Sequence, residues 1–301
     1  MKTNIDCLPC LMRQALQTAK ICTDSPEVQG KVVKGVAALI SECDLGLTPP
    51  AFAGEVYEKI KSITGVEDPY AEKKAESNQI ALSLLSSLRK EIEEKKGDEG
   101  AELAIRFAIA GNIIDYGAYQ AFDFLDVLGK CRDMQLVIDH TSQLLTTIEK
   151  LQPGSEVLYL VDNCGEIVFD TLFIERLFAK RLKITVAVKE GPIINDALMA
   201  DAYLAGLDRY AKIISNGTRC PGTVLELASH EFLAHYSSAD MVISKGQGNF
   251  ESLSEENREI FFLLTVKCAA AAKHMLEMTG AKETIINGTG EMVVFHSPAK
   301  I

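Results

Sequence analysis

From residue 157 onward short apolar runs alternate with helical stretches, and that alternation restricts the fold more than any other feature of the chain. Residues 157–161 (VLYLV) have the length and content of a buried strand, and 167–180 read as a helix. A second strand is expected at 184–188, a helix at 196–207, a short strand at 212–215 and a helix at 223–235. Further strands are expected at 241–244 and 261–266, followed by an Ala-rich helix from Cys268, with 292–295 closing the sheet. Strands that alternate with helices imply βαβ units, right-handed crossovers and a parallel sheet. The turn signal Gln152-Pro153-Gly154-Ser155 marks where this style begins.

Before it the pattern is helical. Cys10, Leu11, Gln14, Ala15 and Thr18 recur near the 3.6-residue period, and 32–40 continue it. Residues 75–94 are rich in Ala, Leu, Lys and Glu and end in the charged break EEKKGDEG; 101–109 and 122–128 are further helical stretches. The expected organisation is an all-helical domain over 1–151 and a doubly wound α/β domain over 152–301.

Composition matters for what it excludes. The 301 residues carry 31 Lys and Arg against 42 Asp and Glu, a net charge of −11. Nucleic acid and anionic membrane surfaces are therefore not expected as partners. No apolar run approaches the roughly 18 residues that span a bilayer. The start, MKTNIDCLPC, has no apolar signal core, and the eight cysteines include one close pair only, so reduced thiols and a cytoplasmic location are expected. No oligomeric state is read from the sequence.

In an open parallel sheet, ligands bind beyond the carboxyl ends of the strands. Here those ends are consistent. After the first comes Asp162-Asn163-Cys164-Gly165-Glu166, a carboxylate beside an amide, which are hard oxygen ligands for a divalent ion. The same residues also suit a helix N-cap with an acidic first turn. After the second strand comes Asn195-Asp196, 34 positions beyond Asp162, about one βαβ unit away and able to reach the same sheet edge. After the third, Asn216-Gly217-Thr218 can line an anion-accepting nest or form an ordinary loop. After the fourth, Ser244-Lys245-Gly246-Gln247-Gly248-Asn249 sets a lysine and small residues before a helix, which suits a phosphate; it is neither a Walker A sequence nor a dinucleotide fingerprint. Lys267 follows the fifth run, either as a second cation for phosphate or as a surface lysine. No Ser-His-Asp or Cys-His nucleophile emerges.

The helical half adds two motifs. Asn112 and Asp115, within Ala110-Gly111-Asn112-Ile113-Ile114-Asp115, face one way on a helix or cap a helix junction. Cys7 and Cys10 form a CxxC at a helix start, which favours redox or soft-metal chemistry if a thiolate forms, or a pair of packed thiols if it does not.

Taken together these motifs resemble the DUF89 family of ARMT1-like damage-control phosphatases, and most nearly its prokaryotic branch with an N-terminal CxxC. The resemblance spans essentially the whole chain: Cys7-Leu8-Pro9-Cys10 with Arg13-Gln14, Gly111-Asn112-Ile113-Ile114-Asp115, Asp162-Asn163-Cys164-Gly165-Glu166, Asn195-Asp196, Gly217-Thr218 with Pro221-Gly222, and Ser244-Lys245-Gly246-Gln247-Gly248-Asn249. It implies a helical domain joined to a Rossmann-like α/β/α domain, a divalent metal (Mn, Ni, Co or Mg), and hydrolysis of phosphate monoesters such as sugar phosphates or damaged phosphometabolites. The family's metal ligands fall on Asp162, Asn163 and Asp196. Some branches carry Arg-Thr-x-Lys near the C-terminus; this chain reads Leu264-Thr265-Val266-Lys267, without the arginine.

The expected protein is thus a metal-dependent phosphatase for a small phosphorylated metabolite. In that reading Asp162, Asn163 and Asp196 hold the metal, and Lys245 and Lys267 neutralise the transferring group. Asn216, Thr218, Gly246 and Asn249 hold phosphate oxygens, Asn112 and Asp115 contact substrate, and Glu166 or Asp196 positions the water. Two rivals are an S-adenosylmethionine-dependent carboxyl methyltransferase, which the doubly wound sheet permits, and a thiol or metal-binding module working through Cys7 and Cys10.

Overall fold

The computed structural model describes residues 1–111, 129, 131–280 and 286–300. The stretch at 122–128 and the pair Asn112 and Asp115 lie outside them.

Three helices open the chain: α1 (Cys7–Cys22), α2 (Pro26–Ser41) and α3 (Pro49–Thr64). Local chemistry sets their ends. Pro26 begins α2, and Thr48 caps α3 by accepting a hydrogen bond from Ala51 N before Pro49 and Pro50. Leu11, Ala15, Val32, Val36, Phe52, Val56 and Ile60 gather into an apolar core of their own. Then follow α4 (Ala71–Glu93), α5 (Asp98–Ala110), β1 (Ile138–Asp139) and α6 (Thr141–Lys150).

The α/β part runs β2 (Glu156–Leu160), α7 (Glu166–Ala179), β3 (Lys183–Val188), α8 (Met199–Leu204), β4 (Lys212–Ser215), α9 (His230–Ser238), β5 (Met241–Lys245), α10 (Gln247–Leu253), β6 (Ile260–Val266), α11 (Ala269–Thr279) and β7 (Glu291–Ser297). Among the described residues seven strands form one sheet in the order β1-β7-β6-β5-β2-β3-β4. The five from β6 to β4 are parallel, whereas β7 pairs antiparallel with β6 and β1 parallel with β7. The chain builds β2, β3 and β4 outward, then returns to set β5 on the other side of β2. That reversal is the topological switch point, where a crevice opens between adjacent strand ends.

Side chains alternate across the sheet. Val157, Tyr159, Met241 and Ile243 point to the face covered by α4, α5, α6 and α7, while Leu158, Leu160 and Val242 point to the face covered by α9, α10 and α11. Packing therefore groups the residues differently from a division at 151/152: α4, α5, α6 and β1 belong to the sheet's cores, and α1–α3 form the separate cluster. Two expected helices are shorter than read. Asn195 lies in a turn, Asp196 and Leu198 form isolated bridges, and α8 begins only at Met199; a 3₁₀ turn at Leu225–Leu227 precedes α9, whose start is set by Ser229 accepting from Phe232 N at 3.1 Å. No helix among the described residues is long and apolar enough to cross a membrane.

Candidate active site

Beyond β2 and β3 the two segments keep pairing. Ala197 N donates to Asp162 O at 2.8 Å and Cys164 N to Asn195 O at 2.9 Å, and Asn163 and Asp196 face each other in an antiparallel bridge. Ile194, a β-branched residue, is held at φ +45° to turn the chain back into this bridge. Such a conformation costs of order 1–3 kcal/mol and persists only where neighbours enforce it. The strain is placed where it delivers Asp196 beside Asp162 and Asn163.

All three side chains are buried but border a cleft of about 680 Å³. Its far wall comes from α1, α3 and α4 and includes Lys20, Tyr57, Tyr70 and Lys73; Lys267 and Gln247 stand at its sheet side. Carboxylates on one wall and ammonium groups around the rim suit a substrate that carries a phosphate.

Lys245 lies elsewhere than the sequence suggested. It shares the face of Met241 and Ile243, so it runs under the site toward α5 and α7. Its ammonium, with no exposed surface, donates to Glu166 Oε1 (2.6 Å), Asp170 Oδ1 (2.8 Å) and the Ala108 carbonyl (2.8 Å). Three donors meet three acceptors, which leaves none for a phosphate. Burial pushes the Glu166 carboxyl up, to about 8, against the opposing pull of Lys245. Burial likewise raises Asp170, while Lys245 and the Tyr159 hydroxyl (2.7 Å) favour its ionised form. Glu166 is fully buried and its Oε2 accepts from Asn163 N (3.3 Å) and Nδ2 (3.4 Å), so it braces Asn163 and does not reach water in the cleft.

The proposed phosphate-holding residues also turn inward. Asn216 Oδ1 accepts from Thr218 N at 2.9 Å, Thr223 Oγ1 donates to Asn249 Oδ1 at 2.8 Å, and Asn249 Nδ2 donates to the carbonyls of Lys245 (2.8 Å) and Val161 (3.1 Å). These side chains lock the loops after β4 and β5 together. Gly246 does border the acid pair, with its backbone packed on the Asp162 carboxylate.

Lys189, after β3, carries no signal of a role in the sequence. It is buried, donates to the Gly222 carbonyl at 2.7 Å, and its ammonium lies 3.5 Å from Asp196 Oδ2. Cys7 and Cys10 do not line the cleft. Burial raises the Cys7 thiol to about 11, so it is not an activated thiolate.

Among the described residues no group of three or more His, Cys, Asp or Glu side chains is set to hold a metal ion. The donor set at the bridge is instead two carboxylates and a carboxamide. Asn163 Nδ2 donates to Asp162 Oδ2 at 2.9 Å, so its oxygen is the end not engaged there. An all-oxygen set fits a hard divalent ion such as Mg or Mn.

Comparison with known proteins agrees with this arrangement. The sequence profile of the damage-control phosphatase ARMT1-like domain matches residues 3–282. The chain is 35% identical over 285 residues to a damage-control phosphatase of Pyrococcus horikoshii, covering 93% of this chain and 96% of that one. It is 34% identical over 280 residues to a damage-control phosphatase of Archaeoglobus fulgidus, covering 91% and 95%. The crystal structure of a DUF89 family protein from Pyrococcus horikoshii is similar at a TM-score of 0.87, with 32% identity and 99% of each chain covered. Placed beside the switch-point cleft and its paired acids, these similarities mean that the chain belongs to the ARMT1-like damage-control phosphatase (DUF89) family.

Proposed function

We propose that this protein is a divalent-metal-dependent phosphatase that hydrolyses phosphate monoesters of small metabolites, including damaged ones. One observation carries the reading: the Asn163–Asp196 bridge sets two carboxylates and a carboxamide on one wall of a cleft whose rim bears Lys20, Lys73 and Lys267. The names of the two archaeal relatives support the reaction class.

Asp162, Asn163 and Asp196 are the residues that would hold the metal. When bound, such an ion polarises phosphorus and lowers the pKa of water. The chain supplies the rest. Lys189 opposes the charge of Asp196 from behind, and Lys267, just past β6, lines the cleft on the sheet side, where it would meet a phosphate. Tyr57 of α3, with Tyr70 and Lys73 at the start of α4, forms the wall that meets the organic half of the substrate.

The test is release of inorganic phosphate from a panel of sugar phosphates and an aryl phosphate, each assayed with Mn²⁺, Mg²⁺, Co²⁺ and Ni²⁺. Asp162→Asn and Asp196→Asn are each expected to lower kcat by about 100-fold or more, on the order of 3 kcal/mol of barrier. Wild-type turnover in both variants, with the fold intact by circular dichroism, would place the chemistry elsewhere.

A further inference from the structure

Beneath the acid pair lies a chain of buried polar groups that the proposed chemistry does not itself use: Tyr159, Asp170, Lys245 and Glu166. We infer that Glu166, fixed by Lys245, is a positioning residue that turns the Asn163 carboxamide so that its oxygen, and not its nitrogen, faces the cleft. The inference rests on the phosphatase site proposed above.

Donors and acceptors around Glu166 leave one arrangement. Lys245 has three N–H donors and no acceptor, and they meet Glu166 Oε1, Asp170 Oδ1 and the Ala108 carbonyl. The end of Glu166 that faces Lys245 must therefore accept. The other end, Oε2, faces Asn163 N (3.3 Å) and Nδ2 (3.4 Å), which can only donate, so Oε2 accepts as well. Asn163 Nδ2 carries two hydrogens. One goes to Glu166 Oε2 and the other to Asp162 Oδ2 at 2.9 Å. With both used, the nitrogen cannot be the group offered to the cleft, and the carboxamide oxygen takes that place. The backbone is held independently by the bridge to Asp196, so rotation of the carboxamide about Cβ–Cγ decides which of its ends faces the cleft, and Glu166 fixes that rotation.

The consequence is specific to polarity. In Glu166→Gln, Lys245 still demands an acceptor, so the new amide turns its oxygen toward Lys245 and its nitrogen toward residue 163. Two donor groups then oppose each other. Relief comes from flipping the Asn163 amide, which puts N–H groups where a cation needs oxygen. Adding Asn163→Asp reverses the 163–166 side-chain pair: the amide at 166 donates and the carboxylate at 163 accepts, leaving a carboxylate oxygen for the cleft, although the donor to Asp162 Oδ2 is lost.

The test is Mn²⁺ binding without substrate, read by electron paramagnetic resonance of free Mn²⁺ and by calorimetry, with thermal melts as the check on folding. Groups behind metal ligands are worth about 10- to 100-fold in affinity, and a loss of that size is expected in Glu166→Gln. Most of it should return in Glu166→Gln/Asn163→Asp. Wild-type affinity in Glu166→Gln, with binding lost in Asp162→Asn, would overturn the inference and leave the site standing. Wild-type affinity in both would remove the site itself. If Glu166→Gln does not fold, Asn163→Asp alone decides: it sets carboxylate against carboxylate and should bind Mn²⁺ more weakly than wild type, and equal or tighter binding would overturn the inference.

Discussion

Gly246 has a backbone that no other residue can adopt without cost: φ is +80° and ψ 160°, a region essentially confined to glycine. A Cβ there would also overlap Asp162 Oδ2. The residue therefore serves Asp162 by lacking a side chain. Gly246→Ala is expected to lose about 2 kcal/mol in urea unfolding from backbone strain, and to lose phosphatase activity along with Asp162→Asn, because the carboxylate must move. Normal urea resistance with normal activity would show that Asp162 is free to turn away without consequence. The lysines teach a related lesson. Lys245 stands two residues beyond Ile243, so alternation along β5 already sends it to the face of α5 and α7. Its neighbours Gly246 and Gln247 resemble a phosphate loop, and the composition of the segment outweighed its periodicity. Lys189 lay one residue past its strand, where alternation gives no direction; its pairing with Asp196 is made by the returning loop.

At the scale of elements, α10 carries a buried acid of its own. Glu251 accepts from Gln247 Nε2 at 2.7 Å, and burial pushes its carboxyl from 4.5 up to about 7. The fold thus holds a proton that the unfolded chain releases across that interval. Stability is fully present below about pH 4.5 and declines as pH rises toward 7, by on the order of 3 kcal/mol. Glu251→Gln stays neutral throughout, so its unfolding midpoint should vary less over this window; parallel curves for the two proteins would refute a buried, raised carboxyl. Element by element, much was legible. The strands at β2, β3, β4, β5 and β6 lie within a residue of their expected places, because apolar runs bounded by turns carry that signal. The two-residue β1 was invisible, having no period to read. The overlong helix at 223–235 missed Ser229, an available N-cap, and the overlong helix at 196–207 missed the bridge, which depends on a strand end 33 residues earlier. The convergence of Asp162 and Asp196 followed from the βαβ unit; the brace of Glu166 on Asn163 did not, since it depends on a helix face meeting a strand end.

At the scale of the molecule, the cleft lies between two separately cored parts. The cap helices α1–α3 hold one apolar cluster, the sheet holds two, and α3 reaches the sheet part through α10. The acid pair sits on the sheet side, at strand ends that unfolding would scatter along the chain. A divalent ion that binds those ends in the native state has little to bind in the unfolded one, so it stabilises by RT ln(1 + [L]/Kd), about 2.7 kcal/mol at a concentration one hundred times Kd. A thermal melt with Mn²⁺ should therefore rise in midpoint with the logarithm of concentration and fall back on adding a chelator. The same titration of Asp162→Asn should stay flat. Replacing Cys7 and Cys10 with Ser should leave the rise intact, since neither thiol borders the cleft. A rise that survives in Asp162→Asn but vanishes without the thiols would transfer the metal from the sheet edge to the start of α1, and with it the chemistry assigned to the switch point.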